Sequence, residues 1–348
     1  MRRCLELASN GLGRTAPNPM VGAVIVYNGK IIGEGYHRHY GGLHAEAEAI
    51  NAVEKKDLLS MSTLYVNLEP CSHFGKTPPC TDLIVRMKIP NVVTGCRDSN
   101  MKVTGKGIEK LRSAGCKVYE GVLEHDCRHL NRRFFTFHEK KRPYIILKWA
   151  QSRDGFIDTA RKTNAPARPN WITSDAVRTL VHKWRAEEQA IMVGTNTAEK
   201  DNPILNVRNW DGKNPLRIVT DRILRLPADI NLFDGTIPTV VYTALNRRSK
   251  KNLEFVRVDF GGNLLSSILD DLYSREIQSV IIEGGSLLLG SFLRDDLWDE
   301  ARIFTGMTYF LSGVISPEIS GKTVFTEYIG NSRLDVIVPA DSSTGTCR

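Results

Sequence analysis

The stretch Leu68-Glu69-Pro70-Cys71-Ser72-His73-Phe74-Gly75-Lys76-Thr77-Pro78-Pro79-Cys80, read together with His44-Ala45-Glu46 upstream, decides the fold of the N-terminal part. One imidazole (His44) and two thiolates (Cys71 and Cys80) make three zinc ligands. A fourth position is then left for water, as a catalytic zinc requires. Glu46, two residues beyond the imidazole, is a carboxylate able to shuttle protons to and from that water. A single histidine or cysteine is more often structural than metal-bound. Four residues of the right types in the right order are hard to set aside.

Helical periodicity argues for a different acid. Residues two apart on a helix point in roughly opposite directions, whereas His44 and Glu48 would share a face. The pattern of zinc nucleobase deaminases, a histidine, any residue, a glutamate, then Pro-Cys and a second cysteine, points instead to Glu46. Glu46 fits if His44 sits in the first turn, before regular spacing applies, and Glu48 is then structural or solvent-facing. The chain departs from that pattern in the Cys–Cys spacing, since eight residues separate Cys71 and Cys80 where two are usual. In the chemistry this implies, zinc brings the pKa of its water towards neutrality. Glu46 would accept the water's proton and return protons to a ring nitrogen and a leaving amine. Helix N-termini would help keep both thiols ionised.

Around this centre the sequence alternates strands and helices. Met1–Asn10 has helical spacing and stops at Gly11 and Gly13. No capping residue precedes that helix, which raises the expectation that a few native residues are missing. Val21–Tyr27 and Lys30–Tyr36 are β-branched runs joined by Asn28-Gly29, a type I′ hairpin signal. His44–Val53 reads as a helix, Thr63–Leu68 as a strand, Thr81–Met87 as a helix and Asn91–Gly95 as a strand. A helix near Ile108–Ala114, a strand near Lys117–Glu120 and one helix over His125–Phe137 complete a sheet with helices on its faces.

The run His138-Glu139-Lys140-Lys141-Arg142-Pro143 marks a domain boundary, giving domains 1–142 and 143–348. Beyond it strands are expected at Tyr144–Ala150, Ala190–Gly194, Leu216–Thr220, Thr239–Tyr242, Phe255–Val258, Ser279–Glu283 and Ala301–Thr305. Helices are expected at Ser174–Arg185, Leu264–Arg275 and Ser286–Arg294. The small polar residues Ala340–Arg348 are expected to fray. Glu283-Gly284-Gly285-Ser286 ends a strand and opens a helix, so its N–H groups suit a phosphate. It is not the Gly-x-Gly-x-x-Gly spacing, and a plain tight turn is the default reading.

At 348 residues the chain suits two domains, and 41% apolar with 25% charged residues is the composition of a soluble globular protein. No apolar run approaches the roughly 20 residues of a membrane span, and the basic start Met1–Leu7, without a long apolar core or a cleavage site, is not what a secretory signal is expected to look like. Beyond the two candidate ligands, Cys4, Cys96, Cys116, Cys127 and Cys347 are scattered, which fits a reducing cytoplasm. The net charge of +8 comes without a basic block or Arg/aromatic interleaving, so it suggests pockets for phosphorylated small molecules instead of nucleic acid.

Thr15-Ala16-Pro17-Asn18-Pro19-Met20-Val21-Gly22, Gly35-Tyr36-His37 and the two zinc segments resemble the deaminase half of the bifunctional riboflavin-biosynthesis deaminase/reductases. Pro143-Tyr144-Ile145-Ile146-Leu147-Lys148, Ser152-Arg153-Asp154-Gly155, Trp171-Ile172-Thr173-Ser174, Arg185-Ala186, Gly194-Thr195-Asn196-Thr197, Asp201-Asn202-Pro203 and Glu283-Gly284-Gly285 occur in the order of that family's reductase domain. The resemblance covers nearly the whole chain. It implies a cytidine-deaminase-like α/β/α domain followed by a dihydrofolate-reductase-like α/β domain, with one zinc per chain and NADPH as cofactors.

By the same resemblance Asn18 would read the pyrimidine, and His73 and Lys76 would face the substrate. Ala150, Ser152, Trp171, Thr197, Asp201, Gly284 and Gly285 would line the NADPH cleft. Arg185 and Arg208 would hold the substrate phosphate, and Leu205 would also bind the substrate. Lys148, Asp201 and Glu283 would surround the ribose, Asp201 as proton donor. Arg222 stands where relatives can carry a cofactor-contacting serine, and could pair with a 2′-phosphate. Ala16 and Asp98-Ser99-Asn100 depart from the family pattern, and Arg161–Asn170 lacks the turn common before Trp-Ile-Thr. The implied reactions are deamination of a diaminopyrimidine ribosyl phosphate, then reduction of its ribosyl group to ribityl. A homo-oligomer, dimer or tetramer, is expected of small deaminase domains in this superfamily. The competing readings are a nucleic-acid deaminase with an accessory C-terminal module, which the long Cys–Cys loop and the reductase motifs oppose, and a binding protein stapled by structural zinc.

Overall fold

The computed structural model describes residues 1–74, 78–99, 105–161 and 166–340. Two compact units divide the chain, Met1–Lys141 and Arg142–Arg348.

In the first unit a helix α1 (Arg2–Ser9) precedes a hairpin of β1 (Gly22–Tyr27) and β2 (Lys30–Tyr36). Asn28 and Gly29 both have positive φ, 47° and 75°, so the turn has the mirror-image twist that the Asn-Gly pair favours. There follow α2 (Ala45–Ala52), β3 (Thr63–Leu68), α3 (Cys80–Arg86), β4 (Asn91–Cys96), α4 (Lys106–Ser113), β5 (Lys117–Tyr119), α5 (Glu124–Leu130) and α6 (Arg132–Lys140). The sheet order is β2-β1-β3-β4-β5, antiparallel at the hairpin end and parallel from β3 onward. Alternate strand residues bury opposite faces. Ala23, Ile25, Leu64, Val66 and Val92 pack on α2, α3 and α4 through Ala49, Ile50, Ile84 and Leu111. At the carboxyl ends of β3 and β4, Leu68 and Cys96 form a separate cluster with Cys127 of α5 and Phe135 of α6.

The single helix expected over His125–Phe137 is two helices. They break at Asn131, whose buried side chain accepts from the Met20 N–H at 2.7 Å and donates to the Met20 carbonyl at 2.9 Å. A side-chain amide spent on a neighbouring segment competes with a continuous helix at that residue.

The second unit contains β6 (Tyr144–Gln151), β7 (Phe156–Thr159), α7 (Asp175–Glu187), β8 (Ala190–Val193), α8 (Thr195–Asp201), β9 (Leu216–Thr220), β10 (Thr239–Thr243) and β11 (Leu253–Arg257). After these come α9 (Leu264–Ser274), β12 (Ser279–Ile282), α10 (Ser286–Arg294), β13 (Glu300–Thr305), β14 (Gly313–Ile315), β15 (Lys322–Ile329) and β16 (Ser332–Val338). The nine-stranded sheet runs β11-β10-β9-β8-β12-β6-β13-β16-β15, parallel up to β13 and antiparallel beyond it. β14 and β7 form a separate ribbon.

Period two sorts the core here as well. Ile145, Leu147, Met192, Ile218 and Ile282 face α9 and α10, whereas Ile146, Ile191, Val193, Val219 and Ile281 face α7 and α8. Strands buried on both faces read as unbroken apolar runs, which is why most of them were legible in the sequence. β7, β14, β15 and β16 were not, because their faces are mixed and much of β15 is exposed. Among the described residues no helix is long and apolar enough to cross a membrane.

Candidate active sites

The metal-ligand set gathers at the carboxyl side of β3. His44 is the residue ahead of α2 and has extended backbone, φ −75° and ψ 157°. The i, i+4 geometry that favoured Glu48 therefore does not apply, and Glu46 lies in the first turn, 3% exposed. Glu48 is half-buried and pairs with Arg38 at 3.7 Å. Nδ1 of His44 lies 3.5 Å from Cys71 Sγ and 3.2 Å from Cys80 Sγ, and the three donor atoms fall within 4.8 Å of one another. Tetrahedral zinc with bonds of about 2.3 Å to sulfur and about 2.0 Å to nitrogen holds its donors roughly 3.5–3.8 Å apart. The set fits that ion.

Cys80 opens α3, but Cys71 lies in the loop after β3, not on a helix. It still meets the start of α3, because Cys71 Sγ accepts the Cys80 N–H at 3.3 Å. Hydrogen bonds from Cys80 and then His44 outweigh burial and bring the Cys71 thiol down to about 4. The hydrogen bond with Cys71, then burial, pushes the Cys80 thiol up. Burial raises the Glu46 carboxyl, helped by Cys71, and Glu46 is within hydrogen-bond reach of Cys80.

Glu69 is the anchor that sequence reading left without a role. Its buried carboxylate accepts N–H groups from Asp98 (3.3 Å), Gly105 (3.0 Å), Gly107 (3.0 Å) and Ile108 (3.4 Å). A Cβ on Gly107 would lie 2.1 Å from the Pro70 carbonyl, so the helix start can approach Pro70-Cys71 only as glycine. Asn18 donates to His37 Nε2 at 3.1 Å, and His37 Nδ1 lies 2.9 Å from the Leu43 carbonyl. A carbonyl can only accept, so Nδ1 carries the proton and Nε2 is the acceptor. Asn18 thereby keeps Oδ1 available. His73 is exposed. Lys76 lies outside the described residues, as do Asn100 and Cys347.

In the second unit the carboxyl ends of β6, β8, β9 and β12 open onto a cleft of about 620 Å³, the usual place for a ligand on a parallel sheet. Lys148, Ala150, Thr197, Asp201, Glu283 and Gly285 line it. Gly284 has φ +120°, and a Cβ on Gly285 would crowd Thr197 Oγ1 at 3.1 Å. That bare turn leads into α10, whose first N–H groups suit a phosphate. A cleft of this size with a glycine cradle fits a dinucleotide.

Four expected cofactor or phosphate residues lie outside the cleft lining or are engaged by other side chains. Ser152 is fully buried, and its hydroxyl donates to Asp154 at 2.6 Å, so it does not face the cleft. Trp171 is 56% exposed under the Arg178 guanidinium, and its neighbour Ile172 lines the cleft. Arg225, not Arg222, lines the cleft, held by Glu199 and Asn196. Arg185 is engaged by Glu283 at 3.2 and 2.7 Å and by the Asn206 carbonyl at 3.3 Å. Arg208 is exposed, and Leu205 is buried with a left-handed backbone, φ 54°.

Burial pushes the Glu283 carboxyl up, but Arg185 and Lys148 outweigh it and hold it at about 2. Burial lowers the Lys148 ammonium against the pull of Glu283. Asp201 is raised by burial against Arg161, which donates to it at 2.6 Å. Sequence reading missed Arg161, since nothing local distinguishes it before the fold brings Asp158 and Asp201 to it.

A zinc-deaminase domain joined in one chain to a dihydrofolate-reductase-like domain defines a bifunctional enzyme. Residues 1–96 match the model of the cytidine and deoxycytidylate deaminase zinc-binding region, and residues 143–308 match that of the RibD C-terminal domain. The riboflavin biosynthesis protein RibD of Aquifex aeolicus is 41% identical over 92% of this chain and 87% of its own. A crystal structure of a diaminohydroxyphosphoribosylaminopyrimidine deaminase/5-amino-6-(5-phosphoribosylamino)uracil reductase from Thermotoga maritima superposes with a TM-score of 0.88, at 40% identity and 97% coverage of each chain. RibD of Acinetobacter baumannii gives 0.86 at 31% identity, again covering 97% of each. The chain belongs to the RibD family of bifunctional riboflavin-biosynthesis deaminase/reductases.

Proposed function

We propose that this chain deaminates 2,5-diamino-6-ribosylamino-4(3H)-pyrimidinone 5′-phosphate and then reduces the ribosyl side chain of the product to ribityl. The observation that carries this is the convergence of His44, Cys71 and Cys80 beside the buried Glu46, in a chain that also holds the reductase cleft.

His44 Nδ1, Cys71 Sγ and Cys80 Sγ would hold zinc, whose chemistry when bound is to make water acidic enough to attack near neutral pH. Glu46 takes the proton of the attacking water and returns protons to the ring nitrogen and the leaving amine. Asn18 Oδ1 accepts from the pyrimidine, its amide orientation fixed by His37.

In the second unit Ala150, Thr197 and the Gly284-Gly285 turn would hold NADPH, whose chemistry when bound is to provide a hydride. Lys148 and Glu283 surround the ribose, Arg208 meets the phosphate, and Arg185 backs both Glu283 and the loop that carries Arg208. Asp201, with its carboxyl raised by burial, supplies the proton taken up on reduction. Asp201→Ala is expected to slow reduction about 100-fold, measured as NADPH oxidation with already deaminated substrate. Full turnover would refute the assignment.

The reading places the enzyme in the cytoplasm, in keeping with free cysteines at all six described positions, and includes self-association. Its test is incubation with the diaminopyrimidine ribosyl phosphate, with and without NADPH. Ammonia should appear in both reactions, and NADPH should be oxidised only after deamination. NADPH oxidation ahead of ammonia release, or no ammonia, overturns the reading.

A further inference from the structure

His182 lies on α7 three residues before Arg185, is 3% exposed, and has no part in the reaction set out above. Its Nδ1 accepts the backbone N–H of Arg208 at 3.3 Å. The same short segment is tied at three other places. The Ile204 carbonyl accepts Arg217 Nη1 at 3.3 Å, the Asn206 carbonyl accepts Arg185 Nη1 at 3.3 Å, and the Val207 N–H donates to Asn214 Oδ1 at 2.8 Å. Arg217 is itself fully buried and also bonds the carbonyls of Asn231, Leu232 and Ile237 at 3.0–3.1 Å. Leu205, in the middle, has the left-handed backbone that a leucine adopts only under constraint. Four side chains from outside the segment thus fix the path of Ile204–Arg208.

We propose that His182 is a positioning residue for phosphate recognition in the reductase unit. Its Nδ1 fixes the Arg208 backbone and, with it, the direction in which the Arg208 guanidinium meets the substrate phosphate. The inference rests on Arg208 being the phosphate ligand.

A residue that merely filled this space could be a hydrocarbon. An acceptor aimed at one N–H of the phosphate segment cannot be replaced in that way without leaving the donor unpaired. The ring stays in its acceptor form. Burial, then the neighbouring Arg185 and Arg208 charges, pushes its pKa down to about 4 against the Asn206 carbonyl and Glu283. Further order comes from Arg208 Nη1, which donates to Asn206 Oδ1 at 2.9 Å.

The experiment measures steady-state reduction of two substrates, the deaminated ribosylaminopyrimidine with its 5′-phosphate and without it. Arg208→Gln should raise KM for the phosphorylated substrate roughly tenfold more than for the unphosphorylated one. His182→Phe should reproduce that selective loss, about tenfold, because it keeps the ring shape and removes the acceptor. His182→Asn, whose Oδ1 lies near the place of Nδ1, should bring the ratio back to within about threefold of the natural chain. A residue that served stability alone would affect both substrates equally. If Arg208→Gln is selective and His182→Phe is not, the inference falls and the phosphate role of Arg208 stands. If Arg208→Gln is not selective, that role falls and the inference falls with it. Should His182→Phe not fold, His182→Gln replaces it, since its acceptor sits away from Nδ1. Equal ratios for the Asn and Gln variants overturn the proposal.

Discussion

Glu46→Gln should lower the rate of ammonia release by about 10³-fold or more while the protein keeps its zinc and still reduces already deaminated substrate. The glutamine has the same shape but cannot accept the proton of the attacking water or return one to the ring nitrogen. Glu46 stands in the first turn of α2, two residues beyond His44, and is sealed from solvent. A side chain in that place has one approach to the reacting water. Glu48→Gln is the control. Glu48 faces Arg38 at 3.7 Å, and a partly exposed pair of that length is worth about 1 kcal/mol or less. Zinc content is measured alongside ammonia. Zinc retained with deamination within tenfold of the natural chain would remove Glu46 from the mechanism, and a larger loss in Glu48→Gln would move the role to Glu48.

The choice between these two acids also shows what sequence can and cannot deliver. Periodicity presumes that a helix has begun, and His44 lies just ahead of one. The position of a helix start was the missing fact, and a three-residue motif carries that information better than an amphipathic count does. The strands buried on both faces were legible in both units for a plain reason: they leave long apolar runs between Gly- and Asn-rich turns. The break at Asn131 was not legible, because it depends on Met20, more than a hundred residues away along the chain. The same holds for Arg161 against Asp201 and for His182 against the Arg208 backbone. Each contact is made by the fold, and no local pattern announces it. Ser152 shows the opposite error. A motif residue was read as a ligand contact, but its hydroxyl is used within its own turn, donating to Asp154 and accepting the Phe156 N–H at 3.0 Å.

Glu283→Gln is expected to reduce stability as well as reduction, and the pH dependence of the stability loss distinguishes its cause. Arg185 grips the Glu283 carboxylate at 3.2 and 2.7 Å, the two side chains being 12% and 9% exposed, and Lys148 faces it from β6. Removing the only negative charge of the three leaves two cations facing each other out of water, and breaking a buried pair in this way costs roughly 3–5 kcal/mol. The pair itself can be sized independently. Glu283 titrates at about 2 in the folded chain against 4.5 for an ordinary glutamate, a gap worth about 3 kcal/mol. Because the folded value is the lower one, this stabilisation is complete above about pH 4.5. It is lost as the pH falls from there towards about 2, where the carboxyl is protonated even in the folded chain. The natural chain and the glutamine variant should therefore differ by roughly 6–20 °C in melting temperature at pH 7. The gap should narrow steadily below pH 4.5, by calorimetry on the full chain. A gap that stays constant down to pH 3 would assign the loss to packing and not to charge. No gap at pH 7 would mean that Arg185 and Lys148 find water or another anion, and that the reductase cleft does not depend on Glu283 to hold its two cations in place.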